Sequence, residues 1–292
     1  MLQSLGWQNL TFARKFLDLL FTYPARRFAR QVLEYDQGVA ELGLPGGAKR
    51  LLSTYVSQLT IRGQENIPGQ GSLLILSNHP GMTDTVALFA SLNRTDLRIL
   101  AADRPFLRVL PATSNFLIFI PDQGPGRMEA LRETAAHLRS GGAVLTFPGG
   151  KIEPDPQIMR GAVQALADWS ISVGLFSRMV ADLTILPVIV SGVLASQALN
   201  HPLTRLRRRR EDRERLGATL QILARVFFPS LWPVNVQVDI HPAFQVADLV
   251  NLHDPRLITQ AVVDRIRPYY QTAARLENTL TPEEPADAVG QG

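Results

Sequence analysis

The chain has 292 residues, 46% of them hydrophobic, no cysteine, and 30 Lys and Arg against 26 Asp and Glu, for a formal charge of +4. That length buries a large core, as one domain or as one domain with an appendage. The lack of cysteine excludes a disulfide framework, a thiolate nucleophile and Cys-ligated zinc or iron–sulfur sites. Nearly all the positive charge is arginine, a composition that suits bidentate contact with anions and that also arises from compositional bias alone.

Residues 1–55 are expected to be helical. Phe12, Phe16, Leu19, Leu20 and Tyr23 recur at helical spacing, and a second stretch carries Phe28, Val32, Leu33 and Tyr35 among several arginines. Such a basic, aromatic-bearing pattern fits a segment lying in a membrane interface, and equally a helix packed on the main domain. No stretch reaches the roughly 18 uninterrupted apolar residues of a membrane span. The nearest, residues 218–238, is interrupted by Arg225, Pro229, Pro233 and Asn235. A secretory-signal pattern is absent from the first residues, so the chain is expected on the cytoplasmic face of the cell membrane, as a peripheral protein.

From residue 56 the pattern changes to short β-type runs at 56–62, 72–77, 97–101, 116–120, 143–147, 184–190 and 234–240. Helical stretches at 84–93, 127–139 and 160–181 lie between them, the middle one stopped by Gly141 and Gly142. This alternation predicts an α/β fold, with a mixed, mainly parallel sheet flanked by helices, over a domain of residues 56–278. Residues 204–216 (TRLRRRREDRERL) read as a charge-dense solvated face, and the tail 279–292 is expected to be disordered.

The segment SLLILSNHPGMTDTVALFASL reads as a strand, a turn and a helix starting near Asp84. It sets His79 at the end of a buried strand, with a carboxylate five residues on. An imidazole there takes a proton from a hydroxyl, and the carboxylate fixes its tautomer and stabilises the imidazolium. The bland alternative for Asp84 is a helix N-cap. After the run Ala143–Phe147, Gly149 and Gly150 permit backbone N–H groups to approach an anion or oxyanion beside Lys151, or simply form a tight connection. His137, His201, His241 and His253 sit on helix surfaces or in loops and read as structural. Phosphate-loop, dinucleotide-loop, nucleophile-elbow and H-E-x-x-H patterns are absent from the sequence.

The stretch LTIRGQENIPGQGSLLILSNHPGMTD (59–84) resembles the entry to the glycerol-phosphate and lysophosphatidate acyltransferase family, with Asn78, His79 and Asp84 on its N-H-x-x-x-x-D motif. Three further blocks follow in order: RILAADRPFLRVLPATSNFLIFIPDQGPGR, then LTFPGGKIEPD for F-P-E-G-T-[RK]-S, and ILPVIVSGV with Pro187 at the expected proline. The resemblance implies acyl transfer from acyl-CoA or acyl carrier protein to a hydroxyl of a lysophospholipid or glycerol-phosphate-like acceptor. It implies His79 and Asp84 as catalytic residues, with no metal and no cofactor. Membrane surface lipids and the thioester donor are the expected partners, and nucleic acid is not.

The departures concern the acceptor site. Pro121 and Asp122 follow Phe119 and Ile120 where the family has an arginine, leaving a displaced Arg127; Gly149 replaces the glutamate, and Lys151 and Ile152 stand at Thr and Arg. Glu153 is placed to supply the missing carboxylate from further along the loop. Asn78, Arg127, Gly149, Gly150, Lys151 and Glu153 are therefore the expected substrate-binding residues, with any acceptor phosphate loosely held. A catalytically silent lipid-binding module and a thioesterase are the competing readings.

Overall fold

The computed structural model describes residues 14–81, 83–207, 210–228, 230–249 and 254–280. Phe12, His253 and the expected tail from residue 281 onward lie outside them.

Helix α1 (Arg14–Tyr55) is broken at Gly43, whose φ of 73° and ψ of 172° suit glycine alone. Pro45 follows where a second helical arm starts, a position that tolerates its missing N–H. The arms fold back on each other. A Cβ on Gly47 would lie 2.6 Å from the backbone nitrogen of Val39, so only glycine admits this approach. Tyr55 Oη donates to Gln31 Oε1 nearer the open end of this hairpin. The break falls at Gly43, inside the segment expected to be helical.

The strands are β1 (Gln58–Arg62), β2 (Leu73–Ser77), β3 (Leu97–Ala102), β4 (Leu117–Ile120), β5 (Ala143–Thr146), β6 (Thr184–Ser191), β7 (Asn235–Ile240) and β8 (Phe244–Gln245). They form one sheet in the order β1-β7-β6-β2-β5-β3-β4, with β8 paired to β6. Strands β6, β2, β5, β3 and β4 run parallel; β7 and β8 are antiparallel to β6, and β1 is parallel to β7. The fold class expected from the alternating pattern is the one observed. The two-residue β8 was too short to carry a periodic signal. Pro187, unable to donate, sits between the β6 residues paired to β8 and those paired to β7.

Side chains of the central strands alternate between two buried faces. Leu73 and Ile75 of β2, with Leu186, Val188 and Val190 of β6, join α1 and α2 (Thr83–Ser91) in one core. Leu74 and Leu76, with Ile185 and Ile189, join Leu138 of α5 (Gly126–Arg139) and the C-terminal helix in the other. Short helices α3 (Pro105–Arg108) and α4 (Pro111–Ser114) link β3 to β4. The single helix expected over 160–181 is instead α6 (Ala162–Ala165), a 3-10 turn at Leu166–Asp168, and α7 (Ser172–Met179). Trp169 interrupts it in an extended conformation, its indole nitrogen bonded to buried Glu153. Helices α8 (Ser196–Leu199), α9 (Arg210–Phe227) and α10 (Pro255–Leu280) complete the molecule.

Candidate active site

Because β2 to β6 are mutually parallel, the loops after their C-terminal ends gather along one edge of the sheet, where α/β proteins place ligands. His79 stands two residues past the end of β2. Its neighbour Asn78 is fully buried and prolongs the β2–β6 ladder with its side chain: Nδ2 donates to Val190 O at 2.8 Å, and Val190 N donates to Oδ1 at 2.8 Å. The amide does what a strand backbone would do, and it fixes the chain where the turn begins.

The imidazole Nδ1 of His79 lies 2.7 Å from Asp84 Oδ2. Asp84 is fully buried in the first turn of α2, and its other oxygen accepts from Thr85 N at 2.6 Å and from Thr85 Oγ1 at 3.3 Å. It serves the helix start and the imidazole together. The His79 side chain keeps 27% of its surface exposed, so the pair has a solvent-facing side. The ring of Phe147 packs against it with centroids 4.7 Å apart. Burial pushes the His79 pKa down, but the charge and hydrogen bond of Asp84, with the charge of Glu153, outweigh it and leave the pKa raised above 6.5.

From the loop after β5, Glu153 Oε2 accepts from His79 N at 3.0 Å, and Glu153 N donates to His79 O at 2.9 Å. Its Oε1 accepts from Trp169 Nε1 at 2.9 Å. Burial pushes this carboxyl up to about 7 against those hydrogen bonds. Asp155, two residues on, is fully buried and accepts from the backbone N–H groups of Gln157, Gly192 and Val193. One loop therefore ties both the His79 turn and the end of β6 to β5.

Residues 58–191 match the family model Acyltransferase. The match covers the segment that carries His79, Asp84 and the loops around them. Among solved structures it is similar over 95% of its length to 97% of the 1-acyl-sn-glycerophosphate (LPA) acyltransferase PlsC from Thermotoga maritima, at 15% identity and a TM-score of 0.45. A comparison with the curated proteins finds no match.

The fold brings His79, Asp84, Asn78 and Glu153 together, but it gives two of them tasks other than the expected substrate contact. Asn78 spends both ends of its amide on Val190, and Glu153 is 3% exposed with both oxygens engaged by protein donors. Gly150, expected to offer an N–H to an anion, donates it to Phe147 O at 3.0 Å and closes a turn with φ 62°. Gly149 lies against the Glu153 carboxyl. The two cations stand at the surface: Lys151 pairs with Asp168 at 2.8 Å, and Arg127 Nη1 donates to Asp122 O at 2.8 Å. Phe147, Trp169 and Asp155 escaped the sequence reading; Phe147 lay in plain view in the third block, whereas Trp169 carried no local signal. Among the described residues no group of three or more His, Cys, Asp or Glu is arranged to hold a metal ion.

Proposed function

We propose that this chain moves a fatty acyl group from acyl-CoA or acyl carrier protein to a hydroxyl of a lysophospholipid or glycerol-phosphate-like acceptor, with His79 as general base and Asp84 as its orienting partner. The observation that carries the reading is the 2.7 Å contact between His79 Nδ1 and a fully buried Asp84, inside the segment that matches the family. With Nδ1–H held by the carboxylate, Nε2 is the nitrogen left to accept a proton. His79 takes the acceptor's hydroxyl proton, the alkoxide oxygen bonds to the thioester carbonyl carbon, and the C–S bond breaks. The departing thiolate receives the proton from the imidazolium. No acyl-enzyme is needed, and the negative charge of Asp84 stabilises the transient imidazolium.

A lysophospholipid acceptor and its product reside in membranes, and we place the protein on a lipid surface, at the cytoplasmic face. Among the described residues no helix is long and apolar enough to cross a membrane. Large apolar side chains are exposed in the loop after β3, Phe106 and Val109, and beyond α9, Phe228 and Leu231. Arg104 and Arg108 stand beside the first group, each at the surface and paired with an aspartate, Asp122 and Asp103.

The deciding experiment incubates purified protein with labelled acyl-CoA or acyl carrier protein and a panel of acceptors: glycerol 3-phosphate, lysophosphatidate and phosphate-free lysolipids. Acylated lipid is the expected product, lost in His79→Ala. Free fatty acid alone makes the protein a thioesterase, and no turnover with retained lipid binding makes it a silent module. Either result overturns the proposal.

A further inference from the structure

We propose that Glu153 is a positioning residue for His79, acting on the main chain of the base rather than on substrate, and that it reaches this place because residue 149 is glycine. The inference rests on the reading of His79 as the base and assigns a second carboxylate to it. Asp84 holds the imidazole; Glu153 holds the backbone that carries it.

Three geometric observations converge. Glu153 grips both polar backbone groups of residue 79, its carboxylate accepting from the N–H at 3.0 Å and its own N–H donating to the carbonyl at 2.9 Å. The remaining carboxylate oxygen is fixed at 2.9 Å by Trp169 Nε1, so the grip is rigid and faces away from solvent. The Glu153 carboxyl also fills the space that a side chain on residue 149 would take: a Cβ there would lie 2.8 Å from Glu153 Cδ and 2.9 Å from Oε1.

Gly149 has no positive φ, so its backbone does not require glycine. The vacancy is needed because a carboxylate from four residues downstream occupies it. With Glu153 truncated, the space its carboxyl leaves is open to a side chain that starts from residue 149. Positions 149 and 153 are thus alternative origins for one buried carboxylate beside the His79 turn. Its negative charge also lies close enough to the imidazole to favour the protonated form.

The test compares the full-length protein with Glu153→Ala, Glu153→Gln and the double variant Gly149→Glu with Glu153→Ala. Measurements are kcat and KM for acyl-CoA and a lysolipid acceptor, the melting temperature, and the His79 titration followed by NMR without substrate. Loosening the turn by about 1 Å should lower kcat on the order of 10²-fold with KM nearly unchanged. The double variant should recover most of that loss, and both Glu153 single variants should titrate His79 at lower pH than wild type. A folded double variant no more active than Glu153→Ala overturns the proposal, as does wild-type kcat in Glu153→Ala. Should Glu153→Ala not fold, Glu153→Gln keeps the volume, and an unchanged kcat with an unchanged His79 titration in it is the contrary result. If the wild type transfers no acyl group, the transferase reading fails separately. Hydrogen exchange then decides: a less protected His79 amide in Glu153→Ala supports the positioning role, and protection equal to wild type overturns it.

Discussion

In the proposed reaction His79 accepts a proton on Nε2 only while Nδ1 keeps its own, so the residues around Nδ1 matter as much as the imidazole does. His79→Ala is expected to lower the transfer rate by about 10²–10⁴-fold, the range of a lost general base. Asp84→Ala should cost less, because it loses orientation and charge but keeps the base. Asp84→Asn should exceed Asp84→Ala in severity: an amide N–H turned toward Nδ1 favours the tautomer that is protonated on Nε2 and unable to accept. Steady-state kinetics with circular dichroism to verify folding checks all three, and near-normal turnover in any of them contradicts the assigned roles. The pH profile follows from the same contacts. If the neutral imidazole is the base, as proposed, and Asp84 and Glu153 hold its pKa above 6.5, kcat/KM should fall on acidification with a midpoint above that value. A midpoint below 6.5 would mean that the carboxylates do not act on His79 as the geometry requires.

At the scale of elements, the α1 hairpin is tied to the catalytic edge by one buried carboxylate. Asp36 accepts from Ala112 N at 3.2 Å, Thr113 N at 2.7 Å and Thr113 Oγ1 at 2.6 Å, closing the start of α4. Asp36→Ala strands those donors, a cost of about 1–3 kcal/mol, and should loosen the β3–β4 connection that carries Phe106 and Val109. Hydrogen exchange should locate the change in residues 105–116; protection there equal to wild type refutes the coupling. Gly47→Leu probes the hairpin itself. Its Cβ meets the Val39 backbone, which has no side-chain freedom with which to retreat, so overpacking should cost about 1–3 kcal/mol in a chemical denaturation curve. This turn was only partly legible beforehand. The run Leu42–Gly47 (LGLPGG) signals a break, but that the two arms then close antiparallel depends on Gly38 meeting Gly47 across space.

For the whole molecule, the buried acids dictate how stability varies with pH. Glu153 is raised from 4.5 to about 7 and Asp155 from 3.8 to about 6, burial being the first cause of each. A group whose folded pKa lies above its unfolded value contributes most below the unfolded value and loses that contribution as pH rises through the folded one. Both therefore predict that stability declines between about pH 4 and pH 7. His79, also raised, adds a decline above 6.5, while His241, lowered by burial, works in the opposite sense near its ordinary value. Denaturant unfolding across this range should show the decline, and Glu153→Gln should flatten it. Stability that climbs steadily from pH 4 to pH 7 would contradict the assignment.

What the sequence by itself determined is local or periodic. Short apolar or alternating runs located seven of the eight strands among the described residues, the central β2, β5 and β6 being apolar nearly throughout because both their faces are buried. The N-H-x-x-x-x-D spacing across a strand–loop–helix junction permitted a hydrogen bond between His79 and Asp84, and the resemblance singled the pair out; the fold brings them to 2.7 Å. Tertiary structure alone decided which neighbours stand at the surface and which turn into the protein. Asn78 turned inward because β6 lies beside β2, and Glu153 because Trp169 and the His79 backbone wait inside the fold. A carboxylate is equally at home in water or against buried N–H donors, and only the packing of distant segments supplies those donors.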